Sequence, residues 1–235
     1  MDDALYAPRD WHVQPPYLFE DYKSTVLRSP RKPLVPLPQT LSELTGPVYG
    51  HDAVKEGDDD LTRNAVVNGE PLGERIIVTG RVLDEDERPI PDTLVEVWQA
   101  NAAGRYIHQV DQHDAPLDPN FLGAGRCATD AEGRYRFTTI RPGEYPWQNH
   151  DKAFRPAHIH FSLFGPSFVT RLVTQMYFPG DPLLEIDPIF LGIPDAEART
   201  RLIAKFSLAE TVSEWALGYE FDIVLRGRKA TPREA

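Results

Sequence analysis

The chain has 235 residues, with 25 basic and 36 acidic side chains and a formal net charge of −11. That balance excludes a general affinity for nucleic acid or for an anionic membrane surface, and no apolar run approaches the roughly 18 residues of a membrane-spanning helix. The single cysteine, Cys127, cannot form an internal disulfide, and the length suits one domain with a sizeable core.

The N-terminal stretch MDDALYAPRD is acidic and lacks the basic and apolar regions of a signal peptide, so a cytoplasmic location is expected. Residues 1–74 hold many of the 22 prolines and little periodicity, which reads as an irregular arm packed on its own domain or wrapped around a partner. One short helix is expected in it at Thr40–Leu44, where Thr40 and Glu43 form a capping box and Gly46 a stop. From residue 75 the pattern turns to strands: RIIVTGRVLD, an acidic turn closed by Pro89 and Pro91, TLVEVWQA, a long turn-rich loop, CATD, the turn AEG, and RYRFTTI. Further strands are expected at 157–164, 171–178 and about 219–226. A helix is expected from Pro194 to Phe206, with Ala198, Leu202 and Phe206 as its apolar stripe. The sum is an all-β fold: an antiparallel β-sandwich over 75–235 with one or two short helices, in which Cys127 is strand filler.

The run AHIHFSLF (157–164) places His158, His160 and Ser162 on one strand face and Ile159, Phe161 and Leu163 on the other. The two histidine Cα atoms are then roughly 6.5–7 Å apart, close enough to converge on one ion, although a bare His-x-His pair is more often bonded to its neighbours. No HExxH or CxxC spacing points to zinc. The nearby candidate donors are instead tyrosines: Tyr145, in a turn marked by Gly143 and Pro146, and Tyr106, which follows Gly104. Ionising one phenol at neutral pH costs about 4 kcal/mol, so two tyrosinates need a hard, highly charged cation. With a hydroxide as third anion and two imidazoles they would neutralise Fe(III), unlike the ferrous pattern of two histidines and one carboxylate.

GRYIH at 104–108, GEYPWQN at 143–149 and RPAHIHFSL at 155–163 resemble the intradiol ring-cleaving catechol dioxygenases, and the likeness extends through VEVWQAN at 95–101 and YKSTVLRSP at 22–30. It is nearest to the iron-bearing subunit of the protocatechuate-cleaving branch and covers roughly the whole chain. The resemblance implies a non-haem Fe(III) held by Tyr106, Tyr145, His158 and His160, which activates the aromatic diol rather than O2 directly. It further implies that Tyr145 leaves the metal and takes a substrate proton while Tyr106 and His158 stay equatorial and His160 axial. Arg155 would stabilise negative charge developing on the ring, and Tyr22, Trp147, Gln175 and Ile189 would contact substrate. The implied reaction joins protocatechuate and O2 to give 3-carboxy-cis,cis-muconate, and the implied partner is a homologous α subunit without the iron ligands, in αβ units of a larger hetero-oligomer.

Two positions depart from the family pattern: Gln148 stands where the family has arginine and Phe154 where it has tryptophan, both bearing on recognition of the ring carboxylate. Catechol or hydroxyquinol 1,2-dioxygenases share the four ligands but typically begin with a helical dimerisation segment, which this proline-rich start does not resemble. VTGRVLDEDERPIPDTLVEVW would also suit a non-enzymatic transthyretin-like or carbohydrate-binding sandwich, a module with no need of the ligand set. Neither His108 nor His150 matches a ligand position of the family.

Overall fold

The computed structural model describes residues 10–35, 54–147, 154–164 and 171–234; the helix expected at Thr40–Leu44, and with it Gln148 and His150, lies outside them. Strand β1 (Arg75–Leu83) is the hub of the first sheet. Its Ile76, Ile77 and Val78 are all fully buried, which is why this stretch reads as a continuous apolar run rather than an alternation. On one side β1 pairs antiparallel with β4 (Arg134–Ile140). On the other it runs parallel to β10 (Ala216–Glu220) and then to β11 (Ile223–Val224), and β9 (Lys205–Val212) completes the sheet beside β10. The sandwich is as expected, but this one seam is parallel.

The second sheet is antiparallel throughout, in the order β3 (Ala124–Ala128), β2 (Leu94–Gln99), β7 (His158–Phe164), β8 (Arg171–Tyr177). Alternation places Val95, Val97, Cys127, Ile159, Phe161, Leu163 and Met176 in the core, against Ile76, Val78, Phe137 and Tyr219 of the first sheet. Cys127 is filler, as expected: burial pushes its thiol up to about 12, far from a reactive thiolate. The opposite face of the second sheet is left for His158, His160 and their neighbours.

The expected helix over 194–206 is shorter. After a 3₁₀ turn at Pro182–Glu185 and helix α2 (Pro188–Leu191), helix α3 covers Ala196–Thr200, capped by Asp195, whose side chain accepts from the Glu197 N–H at 2.9 Å. Ala198 and Leu202 are buried as read, but backbone bonds from Tyr177 N–H to Leu202 and from Ala204 N–H to the Tyr177 carbonyl capture the chain beside β8. The following KFSLAETV is strand β9, and Phe206 lies half exposed on it opposite Tyr219. The run expected near 219–226 likewise divides into β10 and β11 at Phe221, whose carbonyl accepts from Tyr135 Oη at 2.5 Å.

Residues before β1 are tied to the sandwich. Leu61 is fully buried in its core, and Asp58 and Asp59 carbonyls accept from Arg126 and Thr138 N–H. Val13 joins Tyr177, Leu184, Phe190, Ile193, Ala198 and Leu202 in a second apolar cluster, and helix α1 (Lys23–Arg28) follows. Among the described residues no helix is long and apolar enough to cross a membrane.

Candidate metal centre

Register across the outer face of the second sheet sets the site. His160 lies opposite Trp98 of β2 and Gln175 of β8, and His158 opposite Tyr177. The Trp98 indole stacks on the His160 ring at 4.8 Å and 3°, and the two imidazoles meet edge to face at 4.9 Å. Packing therefore holds His160 in a fixed plane.

Two loops bring the phenols. Asn101, just after β2, folds the first loop by accepting from the Ala103 and Arg105 N–H groups at 3.0 Å each, and Asp111 takes the Tyr106 N–H at 2.8 Å. Tyr145 sits in the two-residue strand β5 (Tyr145–Pro146), paired with β6 (Phe154–Arg155) so that Tyr145 faces Arg155. The loops touch backbone to backbone: Gly104 has φ +75°, and a Cβ there would stand 2.0 Å from the Glu144 carbonyl oxygen. Gly104→Ala is expected to push the tyrosine loops apart and lower metal occupancy at least about tenfold, because misplaced ligands lose affinity steeply. Metal content by elemental analysis, beside an unchanged Gly57→Ala control at a position with open space around it, checks this.

The result is convergence. Tyr106 Oη lies 3.3 Å from His158 Nε2 and 3.1 Å from His160 Nε2, and the Tyr145 ring stands edge-on to Tyr106 at 5.0 Å. Donors bound to one cation at about 2.0–2.1 Å are about 3 Å apart. Both imidazoles offer Nε2 because Nδ1 is committed: the His158 Nδ1–H donates to the Pro156 carbonyl at 2.7 Å, and the His160 Nδ1–H to Glu234 Oε2 at 3.1 Å. Burial, then the Arg155 charge, hold the His158 pKa well below its usual value, so the ring is neutral and able to ligate.

Tyr106 keeps part of its ring at the surface while its hydroxyl is sunk among the imidazoles, and burial raises its pKa despite the nearby Arg155 cation. Burial also raises that of Tyr145, helped by Asp111. Phenols placed this way ionise only against a strong positive charge. Two phenols gathered beside two imidazoles are a donor set that fits a hard, highly charged cation such as a ferric ion.

Arg155, expected from the resemblance to stabilise charge on the ring, is 4% exposed. Its Nε and Nη2 make a bidentate pair with Asp187 at 3.2 and 3.0 Å; Nη2 also donates to Gln175 Oε1 at 2.7 Å and Tyr177 Oη at 3.0 Å, and Nη1 lies 3.3 Å from His158 Nε2. Burial alone would depress its pKa, but Tyr177 and Asp187 reverse this, so the guanidinium stays charged. Asp187, Tyr177 and Glu234 are the residues sequence reasoning missed. Asp187 before Pro188 reads as a helix cap, and it is one, accepting from the Ile189 N–H at 3.4 Å; its pairing with Arg155 leaves no local signal.

The four expected substrate contacts lie at or behind this cluster. Tyr22 packs edge-on against Trp147 at 5.1 Å, and the Arg155 guanidinium lies over the Trp147 ring at 5.6 Å. Gln175 is buried, its Oε1 occupied by Arg155 and Tyr177, and its Nε2 is near enough to influence Glu234 but outside hydrogen-bond geometry. Ile189 is buried in α2 and tied to the cluster through its backbone. His108 is exposed, with its Nδ1 accepting from Val110 N–H.

A profile described as "Dioxygenase" matches residues 44–227, and one described as "Protocatechuate 3,4-dioxygenase beta subunit N terminal" matches residues 7–40. The chain is 67% identical over 231 residues to the protocatechuate 3,4-dioxygenase beta chain of Burkholderia cepacia, covering 98% of each. It is 29% identical over 206 residues to the protocatechuate 3,4-dioxygenase alpha chain of Pseudomonas putida, covering 85% of this chain and 97% of that one. A solved dioxygenase domain from Streptomyces sp. SirexAA-E superposes with a TM-score of 0.51 at 25% identity, covering 77% of this chain and 97% of that one. Identity of two thirds over the full length, carried by a dioxygenase sandwich, sets the non-enzymatic reading aside: the chain belongs to the intradiol ring-cleavage dioxygenases and, within them, to the protocatechuate 3,4-dioxygenase beta chains.

Proposed function

We propose that this chain cleaves protocatechuate between its two hydroxyl-bearing carbons with O2, giving 3-carboxy-cis,cis-muconate, at a non-haem ferric ion held by Tyr106, Tyr145, His158 and His160. The convergence of Tyr106 Oη on both histidine Nε2 atoms, beside Tyr145, carries the reading. When bound, the ferric ion supplies the Lewis acidity that lowers the pKa of the diol and draws it into reaction with O2. The Tyr145 hydroxyl is the less enclosed of the two and the one on a two-residue strand, which suits it to move aside as its oxygen takes a substrate hydroxyl proton. Tyr106 and His158 are the anchors. Arg155 places a fixed cation against the His158 edge of the site, where it stabilises negative charge spreading over the ring. Trp147 and Tyr22 wall the mouth and Gln175 lies beneath it, while Ile189 backs the Arg155 network.

The likeness to an alpha chain supports a homologous α partner in αβ units of a larger assembly, embraced by the proline-rich arm 1–74 while 75–235 forms the catalytic sandwich. A cytoplasmic location goes with this reading.

The test is a visible spectrum of the purified protein before and after anaerobic protocatechuate. A burgundy protein whose band shifts on addition is the expected result, since ferric tyrosinates absorb intensely by charge transfer. A protein still colourless after iron loading in the presence of its α partner overturns the metal reading. Turnover of protocatechuate above that of catechol and hydroxyquinol checks the ring specificity.

A further inference from the structure

Residues 230–234 run beside β8 as a strap. Thr174 Oγ1 donates to the Pro232 carbonyl at 2.6 Å, and the Glu234 N–H to the Val173 carbonyl at 2.7 Å, so the strap lies along the sheet edge. The N-terminal arm clips it: the Arg233 N–H donates to Gln14 Oε1 at 2.8 Å, and Gln14 Nε2 to the Thr231 carbonyl at 3.5 Å. From this double anchorage the Glu234 side chain reaches the His160 Nδ1–H. The pair is largely enclosed, with side chains 12% and 25% exposed, so the carboxylate is not an incidental surface neighbour.

The two imidazoles are supported unequally. His158 donates its Nδ1–H to a neutral carbonyl and has the Arg155 guanidinium 3.3 Å from its Nε2, whereas His160 donates to an anion and is stacked on Trp98. A carboxylate acceptor makes the opposite ring nitrogen a stronger donor, and it fixes both tautomer and ring plane. We propose that Glu234 is a positioning residue for the metal, holding His160 with Nε2 turned toward Tyr106 Oη and strengthening it as a donor. This inference rests on the metal reading above. The strap's backbone bonds do not involve the Glu234 side chain, so a side-chain substitution leaves them in place.

Wild type, Glu234→Ala and Glu234→Gln, each co-expressed with an α chain and loaded with ferric iron, are compared for iron retention against a chelator, charge-transfer band and melting temperature. Glu234→Ala is expected to hold iron about 10- to 100-fold more weakly with a displaced band and an unchanged melting temperature of the iron-free protein. Glu234→Gln, whose amide oxygen still accepts from Nδ1–H, should fall between. Wild-type retention and an unmoved band in Glu234→Ala overturn the proposal, as does iron loss that merely follows a lowered melting temperature in both variants. A wild type that binds no iron overturns the metal reading, and this one with it.

Discussion

Tyr106→Phe is expected to give a folded, nearly colourless protein whose turnover of protocatechuate has fallen at least about 10³-fold. A metal contributes several kcal/mol of charge stabilisation to such a reaction, and each 1.36 kcal/mol is about tenfold in rate. The substitution removes one oxygen, whose neighbours are the two imidazole Nε2 atoms. Without it the cation loses the anion nearest both histidines. The fold should not notice: the Tyr106 ring packs on Tyr145 and His160 through faces and edges that phenylalanine keeps, so stability should move by less than about 1 kcal/mol. Iron analysis, visible absorbance and oxygen uptake check the three parts separately. Retained colour together with retained turnover would remove Tyr106 from the ligand set.

The second large effect is expected at Asp187, which touches no proposed ligand. Its side chain is fully buried and accepts from Arg155 Nε and Nη2, and its Oδ2 lies 3.3 Å from Tyr177 Oη. Asp187→Ala leaves a guanidinium buried without its counter-charge, an arrangement that typically costs about 3–5 kcal/mol. Urea unfolding should record that loss. Activity should fall as well, because the bidentate pair with Asp187 helps aim the Arg155 fork at Gln175, Tyr177 and His158. The double variant Arg155→Met with Asp187→Leu separates the effects: it should regain most of the stability and none of the turnover. If Asp187→Ala unfolds within about 0.5 kcal/mol of wild type, the ordinary range of surface substitutions, the pair does not organise the site.

What the sequence made legible followed local rules. Strand alternation put His158 and His160 on one face, and that holds because period is a property of adjacent residues. The turn expected at Tyr145 from Gly143 and Pro146 is instead the two-residue strand β5, because pairing with Phe154–Arg155 keeps the chain extended there. The parts that were not legible depend on distance along the chain. Arg155 and Asp187 are 32 residues apart and His160 and Glu234 are 74 apart, and nothing near either carboxylate announces a partner. The helix expected to reach Phe206 failed for the same reason: Ala198 and Leu202 suit a helix, but bonds from Tyr177 decide where it ends. The parallel seam was invisible too, since an apolar run such as Ile76–Val78 reports burial on both faces and not the direction of its neighbours.

That seam bears on how the protein comes into being. Ile76 takes Leu217 as its neighbour, 141 residues later, so the first sheet cannot close during most of synthesis. At about 5–20 residues per second the ribosome needs about 7–28 s to span that gap, while β4 alone shields one side of β1. Pairings over such separations also make folding slow once the chain is free. For those seconds the open side of β1 is a template for any other nascent strand, including the same strand on the next ribosome along the message. A nascent chain halted before residue 216 would already carry both tyrosines and both histidines, yet lack the strand that seals β1 and the carboxylate that steadies His160.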